Sequence, residues 1–112
     1  MANSEQQLVS RLVDALERGI GILNKYENGW GKRLAEFRVQ ILEGDPSGLT
    51  QLRRSFGTIG SLNDICITRD NGYNIRRKDV ASVNDAIEDI VWELGTLSDR
   101  VTKPMIIRIH GK

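Results

Sequence analysis

Two residue types that carry much of protein chemistry are scarce in this 112-residue chain, which has one cysteine, Cys66, and one histidine, His110. A single cysteine excludes an intrachain disulfide, and the two residues are too few for a cysteine–histidine zinc site within one chain. Nucleophilic catalysis needs a base that the fold holds in place, but His110 is third from the last residue. We therefore predict no metal, no cofactor and no enzymatic activity.

Long apolar runs and an excess of one charge are also missing. No segment approaches the roughly 20 apolar residues that span a bilayer. Residues 1–7 lack the basic, apolar and small-residue order of a signal peptide. Sixteen Lys and Arg against fifteen Asp and Glu leave a net charge of +1, so no overall field attracts nucleic acid or anionic lipid. We expect a cytoplasmic protein without a membrane partner.

Apolar residues recur at spacings of three and four along much of the chain, which predicts amphipathic helices. The pattern places a first helix whose apolar face runs from Leu8 to Leu23, a second over about 32–43, a short third over about 49–56 and a last helix over about 79–101. The predicted fold class is mainly α: a compact bundle of three long helices and one short helix. Residues 1–102 form one helical domain in this interpretation.

A small β-hairpin is predicted between helices 3 and 4. Ile65–Thr68 is a short run rich in β-branched residues, Asp70–Gly72 carries an Asn-Gly turn signal, and Tyr73–Ile75 is the return strand. Residues 103–112 are predicted to be a tail that either adds a strand to this hairpin or is mobile.

Charge is distributed unevenly although it nearly cancels overall. The segment from Asp79 to Asp99 contains six acidic residues and no Lys or Arg. Trp92 lies on the same helix, about 160° from the centre of its apolar stripe. Either another element covers this indole and forms a second small core, or the indole is exposed and belongs to an interface. The partner-binding residues that follow from the second interpretation are Asp85, Glu88, Asp89, Trp92, Glu93 and Asp99.

A glycine-rich box lies between the third helix and the predicted hairpin. Its glycines permit a sharp reversal, and its short polar side chains can bond nearby backbone N–H groups. We favour a structural turn over the alternative of an anion or partner contact. The residues of this turn are Gly57, Gly60, Ser61, Asn63 and Asp64.

The stretch Phe56–Ile67 resembles the central box of a small, uncharacterised bacterial domain family, which reads F-G-x-x-G-S-[LF]-N-D before an apolar strand. The resemblance covers about residues 34–98. In the following helix, the residues that match the family pattern are Asn84, Ile87, Val91 and Leu94. Members resemble immunity-type proteins encoded beside secreted toxins, so the resemblance implies a protein partner and no catalysis.

These observations lead to a functional hypothesis: an immunity-type inhibitor that occludes the active site of a cognate toxin, for example a basic nuclease. Opposite charge would speed association and burial of Trp92 would slow dissociation. The alternatives are a homodimer closed by Trp92, a small enzyme built on acidic residues, and a nucleic-acid-binding module, against which the near-zero net charge argues. The nucleic-acid module would use Lys32, Arg33, Arg53, Arg54 and Arg76–Lys78.

Overall fold

The computed structural model describes residues 4–57 and 61–108, which are mainly helical. Within these residues there are five α-helices: α1 (Ser4–Lys25), α2 (Gly29–Leu42), α3 (Ser47–Arg53), α4 (Val80–Arg100) and α5 (Lys103–Arg108). Single turns of 3₁₀ helix at Leu62–Asp64 and Arg77–Asp79 flank an extended segment between α3 and α4. The prediction of a mainly helical bundle is therefore confirmed.

The central element of the bundle is α1, which packs against α2, α4 and α5. The α1 and α2 helices are joined by a short turn, and α3 packs against both α2 and α4. Fully buried leucines from four helices meet in the core. These leucines are Leu12, Leu16, Leu34, Leu49, Leu52 and Leu94. Their burial follows the apolar periodicity of the sequence.

The start of α2 differs from the prediction by three residues, since the helix begins at Gly29 rather than near Lys32. Asn28 is its N-cap, and the Asn28 side chain accepts a hydrogen bond of 2.8 Å from the Trp30 backbone N–H. Such a cap satisfies one of the otherwise unpaired N–H groups of the first turn. The helix therefore includes the Gly29–Gly31 segment, which precedes the predicted helix.

The third helix also begins earlier than predicted, at Ser47, directly after its N-cap residue Pro46. The Asp45 carboxylate accepts a hydrogen bond of 2.9 Å from the Ser47 backbone N–H, where the helix begins. This bond to Ser47 lowers the pKa of the Asp45 carboxyl below its ordinary value of 3.8. The helix ends at Arg53 rather than at Phe56.

The predicted β-hairpin is wrong. No strand occurs in the described residues, and the chain from Ile65 to Thr68 is extended without a ladder. The turn itself is present, because the Tyr73 N–H donates to the Thr68 carbonyl at 3.1 Å. The backbone groups of the fully buried Ile67 bond instead to the Asn84 side chain of α4. A side-chain amide thus takes the place of a neighbouring strand.

The predicted tail is helical over its described part. Lys103–Arg108 form α5 instead of adding a strand. Pro104 lies in the first turn of this helix, where the missing N–H costs no helical hydrogen bond. Ile106 is fully buried, and the Arg108 guanidinium bonds the Glu5 carboxylate of α1. Packing against α1 therefore overrides the β propensity of this segment.

The C-terminal end of α4 is held by a cation from α3. Arg53 donates from Nε to the Ser98 carbonyl at 2.8 Å and from Nη2 to the Val101 carbonyl. The last carbonyls of a helix lack partners within the helix, and a positive charge there is favoured by the helix dipole. This contact fixes the position of the helix that carries Trp92.

Candidate functional site

An open groove of about 650 Å³ lies between α4 and the chain that follows α3. Its apolar part includes the half-buried side chains of Phe56, Ile65 and Val91. Glu88 and Asp99 lie on its acidic side, together with Trp92. We call this feature the Trp92 groove; its complete lining is Phe56, Leu62, Asn63, Ile65, Cys66, Asn84, Ile87, Glu88, Val91, Trp92, Gly95, Thr96 and Asp99.

Trp92 is the most exposed of the large apolar residues in the part of the chain that the structure describes. It is 73% exposed, whereas Val39, Leu42 and Ile107 are 50%, 42% and 52% exposed. The structure therefore favours the interpretation of an outward-facing indole over that of a second small core. A large exposed aromatic beside an apolar groove is typical of the anchor residues of protein interfaces.

Four of the predicted acidic site residues lie on the solvent-exposed side of α4. Asp85, Glu88, Asp89 and Asp99 are exposed. None of them forms an ion pair with another of the described residues. Because each carboxylate is already in water, a basic partner would gain attraction without having to break an internal pair first.

These carboxylates do not all face the same groove. Glu88 and Asp99 line the Trp92 groove. Asp89 instead lines a second open groove, between α1 and α4, together with Ile22 and Ile90. The acidic face of α4 is therefore a ridge with an apolar groove on either side.

Glu93 is placed differently from the other predicted site residues. Its two carboxylate oxygens each accept a hydrogen bond of 2.9 Å from Arg18 of α1. The Glu93 side chain is 29% exposed and the Arg18 side chain is 53% exposed. Both bonds come from the same guanidinium nitrogen, Nη2, so the contact is one charge-assisted donor shared by the two carboxylate oxygens. Glu93 thus contributes to the packing of α4 on α1, a contact that sequence spacing does not reveal.

The described residues of the glycine-rich box are linked by short-range hydrogen bonds. Gly57 has a φ of +88°, a conformation that favours glycine. The Asn63 side chain accepts from the Gly57 backbone N–H at 3.1 Å and from the buried Ser61 hydroxyl at 3.4 Å. Asp64 is exposed in the 3₁₀ turn, and Gly60 lies outside the described residues. The box thereby shapes the wall of the Trp92 groove opposite α4.

Asn84 is the structural residue that the helical pattern did not identify. Its side chain accepts from the Ile67 N–H at 2.8 Å and donates to the Ile67 carbonyl at 2.9 Å and to the Val80 carbonyl at 2.8 Å. The sequence signal for this role was a polar residue between the apolar positions Val80 and Ile87 of the predicted helix. Asn84 fixes the extended segment that lines the groove.

The cations proposed for nucleic-acid binding are partly used inside the domain. Arg53 caps α4, as described above. The Arg33 guanidinium lies 4.8 Å from the centre of the Trp30 ring, within the range of a cation–π contact. Arg76 pairs with Asp79 at 2.9 Å. The set therefore comes from several elements, and three of its members already have partners within the domain.

The residues considered for catalysis do not converge in the described part of the chain. His110 lies outside the described residues. Cys66 is exposed, lines the Trp92 groove and is not part of a strand. Among residues 4–57 and 61–108 no group of three or more His, Cys, Asp or Glu side chains is placed to hold a metal ion. No helix in that part of the chain has both the length and the apolar composition to cross a membrane.

Residues 24–76 match the model of a family described as a domain of unknown function (DUF6966). No curated protein and no solved structure matches the chain. The matched range contains the glycine-rich box, α2 and α3, and it ends before α4 begins at Val80. The match supports an uncharacterised domain, and the immunity-type function stays a prediction.

Proposed function

We propose that this protein is a non-catalytic interaction domain whose α4 face binds a basic surface of another protein. The single observation that carries the proposal is the position of Trp92, 73% exposed, beside an apolar groove and among exposed carboxylates. In its most specific form the proposal is an immunity-type inhibitor that covers the active site of a cognate bacterial toxin in the cytoplasm. An active-site cleft that binds nucleic-acid phosphates is basic and would complement α4.

The two components of this surface would contribute differently to binding. Exposed charges such as Glu88 and Asp99 raise the rate of encounter with a basic partner, and this effect weakens as salt screens it. The indole of Trp92 buries a large apolar area once the partner covers it and so slows dissociation. Rapid and tight binding together are what an inhibitor of a toxic enzyme requires.

A co-expression assay tests the toxin-inhibitor function directly. The chain is expressed together with the product of the neighbouring gene in its source genome, and survival of the host cell is measured. We expect the wild-type chain to restore growth, and Trp92→Ala to weaken binding by about 30-fold or more, since truncated anchor residues often cost at least 2 kcal/mol. Val39→Ala is the matched control, because Val39 is also an exposed apolar residue but lies on α2.

The outcome that contradicts the proposal is equally concrete. If the neighbouring product is not toxic, or if its toxicity is unchanged by the wild-type chain, the immunity-type function is wrong. If protection occurs but both Trp92→Ala and the triple charge reversal Asp85/Glu88/Asp99→Lys protect as well as wild type, the α4 face is not the interface.

The alternatives of a homodimer and a nucleic-acid module are supported less well by the geometry. A symmetric contact through Trp92 would place the acidic ridge of one copy against the acidic ridge of the other, and these like charges would repel. The same ridge repels phosphates. Light scattering at two protein concentrations and a gel shift at low salt test these alternatives, and we expect a monomer and no retardation.

A further inference from the structure

We propose that the Trp92 groove recognises two neighbouring side chains of its partner: an aliphatic one that enters the groove, and an arginine that stacks on the indole. The guanidinium of that arginine donates hydrogen bonds to the Glu88 carboxylate. This inference rests on the proposed function and specifies the chemistry that the partner presents at the α4 face.

The aliphatic half of the proposal follows from the floor of the groove. The half-buried side chains of Phe56, Ile65 and Val91 offer apolar surface that water now covers in part. Gly95 of α4 adds no side chain, and a Cβ built there would lie 3.7 Å from the nearest atom of the Phe56 ring. The missing side chain leaves room above Phe56 for an incoming group. A volume of about 650 Å³ falls within the usual range of ligand sites.

The cationic half follows from what surrounds the indole. Glu88 precedes Trp92 by four residues and Asp99 follows it by seven, so all three lie on one side of α4. Both carboxylates line the groove with the indole, and neither forms an ion pair with a described residue. An aromatic face attracts a cation, and neighbouring negative charge strengthens that attraction. Arginine suits the site better than lysine because its planar group can stack and donate in a fork at the same time.

Other occupants fit the groove less well. A second copy of this chain would bring its own acidic ridge against Glu88 and Asp99, and a nucleic acid would bring phosphates. A purely apolar segment would remove these carboxylates from water without supplying a positive partner. An apolar side chain next to an arginine can contact the apolar floor of the groove and pair with the carboxylates on its acidic side.

Short peptides test the proposal without knowledge of the natural partner. The probe is acetyl-Gly-Leu-Arg-Leu-Arg-Gly-amide at low ionic strength, and the readout is the NMR shift of the Trp92 indole N–H, assigned with Trp92→Phe. The first control replaces each arginine with citrulline, which keeps the shape and removes the charge. The second replaces each leucine with alanine. We expect each control peptide to bind about tenfold more weakly than the probe.

Variants of the protein test the two halves separately. Gly95→Leu fills the groove, so we expect the leucine and alanine peptides to bind this variant equally. Glu88→Gln should reduce the preference for arginine over citrulline to less than threefold. Thermal unfolding establishes that each variant is folded. If Gly95→Leu does not fold, Gly95→Ala is used, since its Cβ makes an ordinary contact with Phe56.

The possible results separate this proposal from the function on which it rests. Equal binding of the arginine and citrulline peptides, or no shift of the Trp92 signal at millimolar probe, overturns the recognition proposal even if the protein protects against a toxin. A tenfold preference for the arginine probe, lost in Glu88→Gln, supports it even if no toxin is neutralised. In that second case the toxin-inhibitor function is the part that fails.

Discussion

Removal of the Asn84 amide is the sharpest test of how the groove is built. In Asn84→Ala the N–H and the carbonyl of Ile67 lose their hydrogen-bond partner, while Ile67 itself is 0% exposed. The loss cannot be compensated by a neighbouring strand, because none is present among the described residues. We therefore expect the segment that follows the box to loosen and the domain to become less stable.

The magnitude follows from two buried polar groups. Each one left unsatisfied costs about 1–3 kcal/mol. Because alanine has a higher helix propensity than asparagine, the substitution itself stabilises α4 by up to about 0.7 kcal/mol. Taking about 2 kcal/mol for each of the two groups, we expect a net loss of about 3 kcal/mol in the free energy of unfolding. For a domain of this size that corresponds to a fall in Tm of about 13 °C.

Urea unfolding followed by circular dichroism at 222 nm measures this loss. The midpoint should fall while the slope against urea stays constant, because the surface exposed on unfolding is unchanged. Asn74→Ala is the matched control, since Asn74 is exposed and should shift stability by less than about 0.5 kcal/mol. A loss for Asn84→Ala no larger than that of the control would refute the reasoning.

Three further substitutions probe the elements that position α4 and α3. Arg53→Met should lower the free energy of unfolding by about 1–2 kcal/mol in urea titrations, because the carbonyls of Ser98 and Val101 lose a charged donor. Gly48→Ala should cost about 1–3 kcal/mol in the same assay, because the added Cβ would lie 2.5 Å from the Phe37 carbonyl oxygen and force the backbone apart. Asp45→Ala should be less stable than wild type at pH 7, and thermal scans should show this difference shrinking as the pH falls below about 4. The sign follows from the lowered pKa of Asp45. The ionised carboxylate stabilises the fold when the pH is above the ordinary pKa of the group, and this stabilisation is lost as the pH falls and the carboxylate is protonated.

Each of these predictions has a result that contradicts it. Gly21→Ala is the control for Gly48, since a Cβ at Gly21 meets no neighbouring atom. Equal stability of the two alanine variants would show that α2 and α3 are not in close contact. A difference between Asp45→Ala and wild type that persists unchanged at pH 2 would exclude the Asp45 carboxylate as its source.

The parts of the fold that depend on local periodicity could be predicted from the sequence. The apolar stripe of the last helix predicts both the presence of that helix and the outward direction of Trp92, since both follow from a rotation of 100° per residue. Helix starts were less accurate, because several short polar residues near each start can accept from a backbone N–H and the sequence does not say that Asn28 and Asp45 are the ones that do.

The parts that depend on distant partners could not be predicted. The segment at Ile67 has the composition of a strand, but its hydrogen-bond partner is a side chain 17 residues away. The Arg18–Glu93 pair joins residues 75 positions apart, so Glu93 had the same sequence signal as the free carboxylates. The segment around Ile106 is β-prone locally and helical because α1 buries it. In each case tertiary contacts outweigh local preference.

The two sides of α4 have different consequences for the evolution of this surface. Asn84, Glu93 and the carbonyl of Ser98 hold the helix in place through bonds to other elements. Glu88 and Trp92 form no ion pair or side-chain hydrogen bond of this kind with the described elements. Substitutions at these two outward positions therefore leave the scaffold intact. A lineage can therefore change the chemistry of this surface without a loss of folding energy.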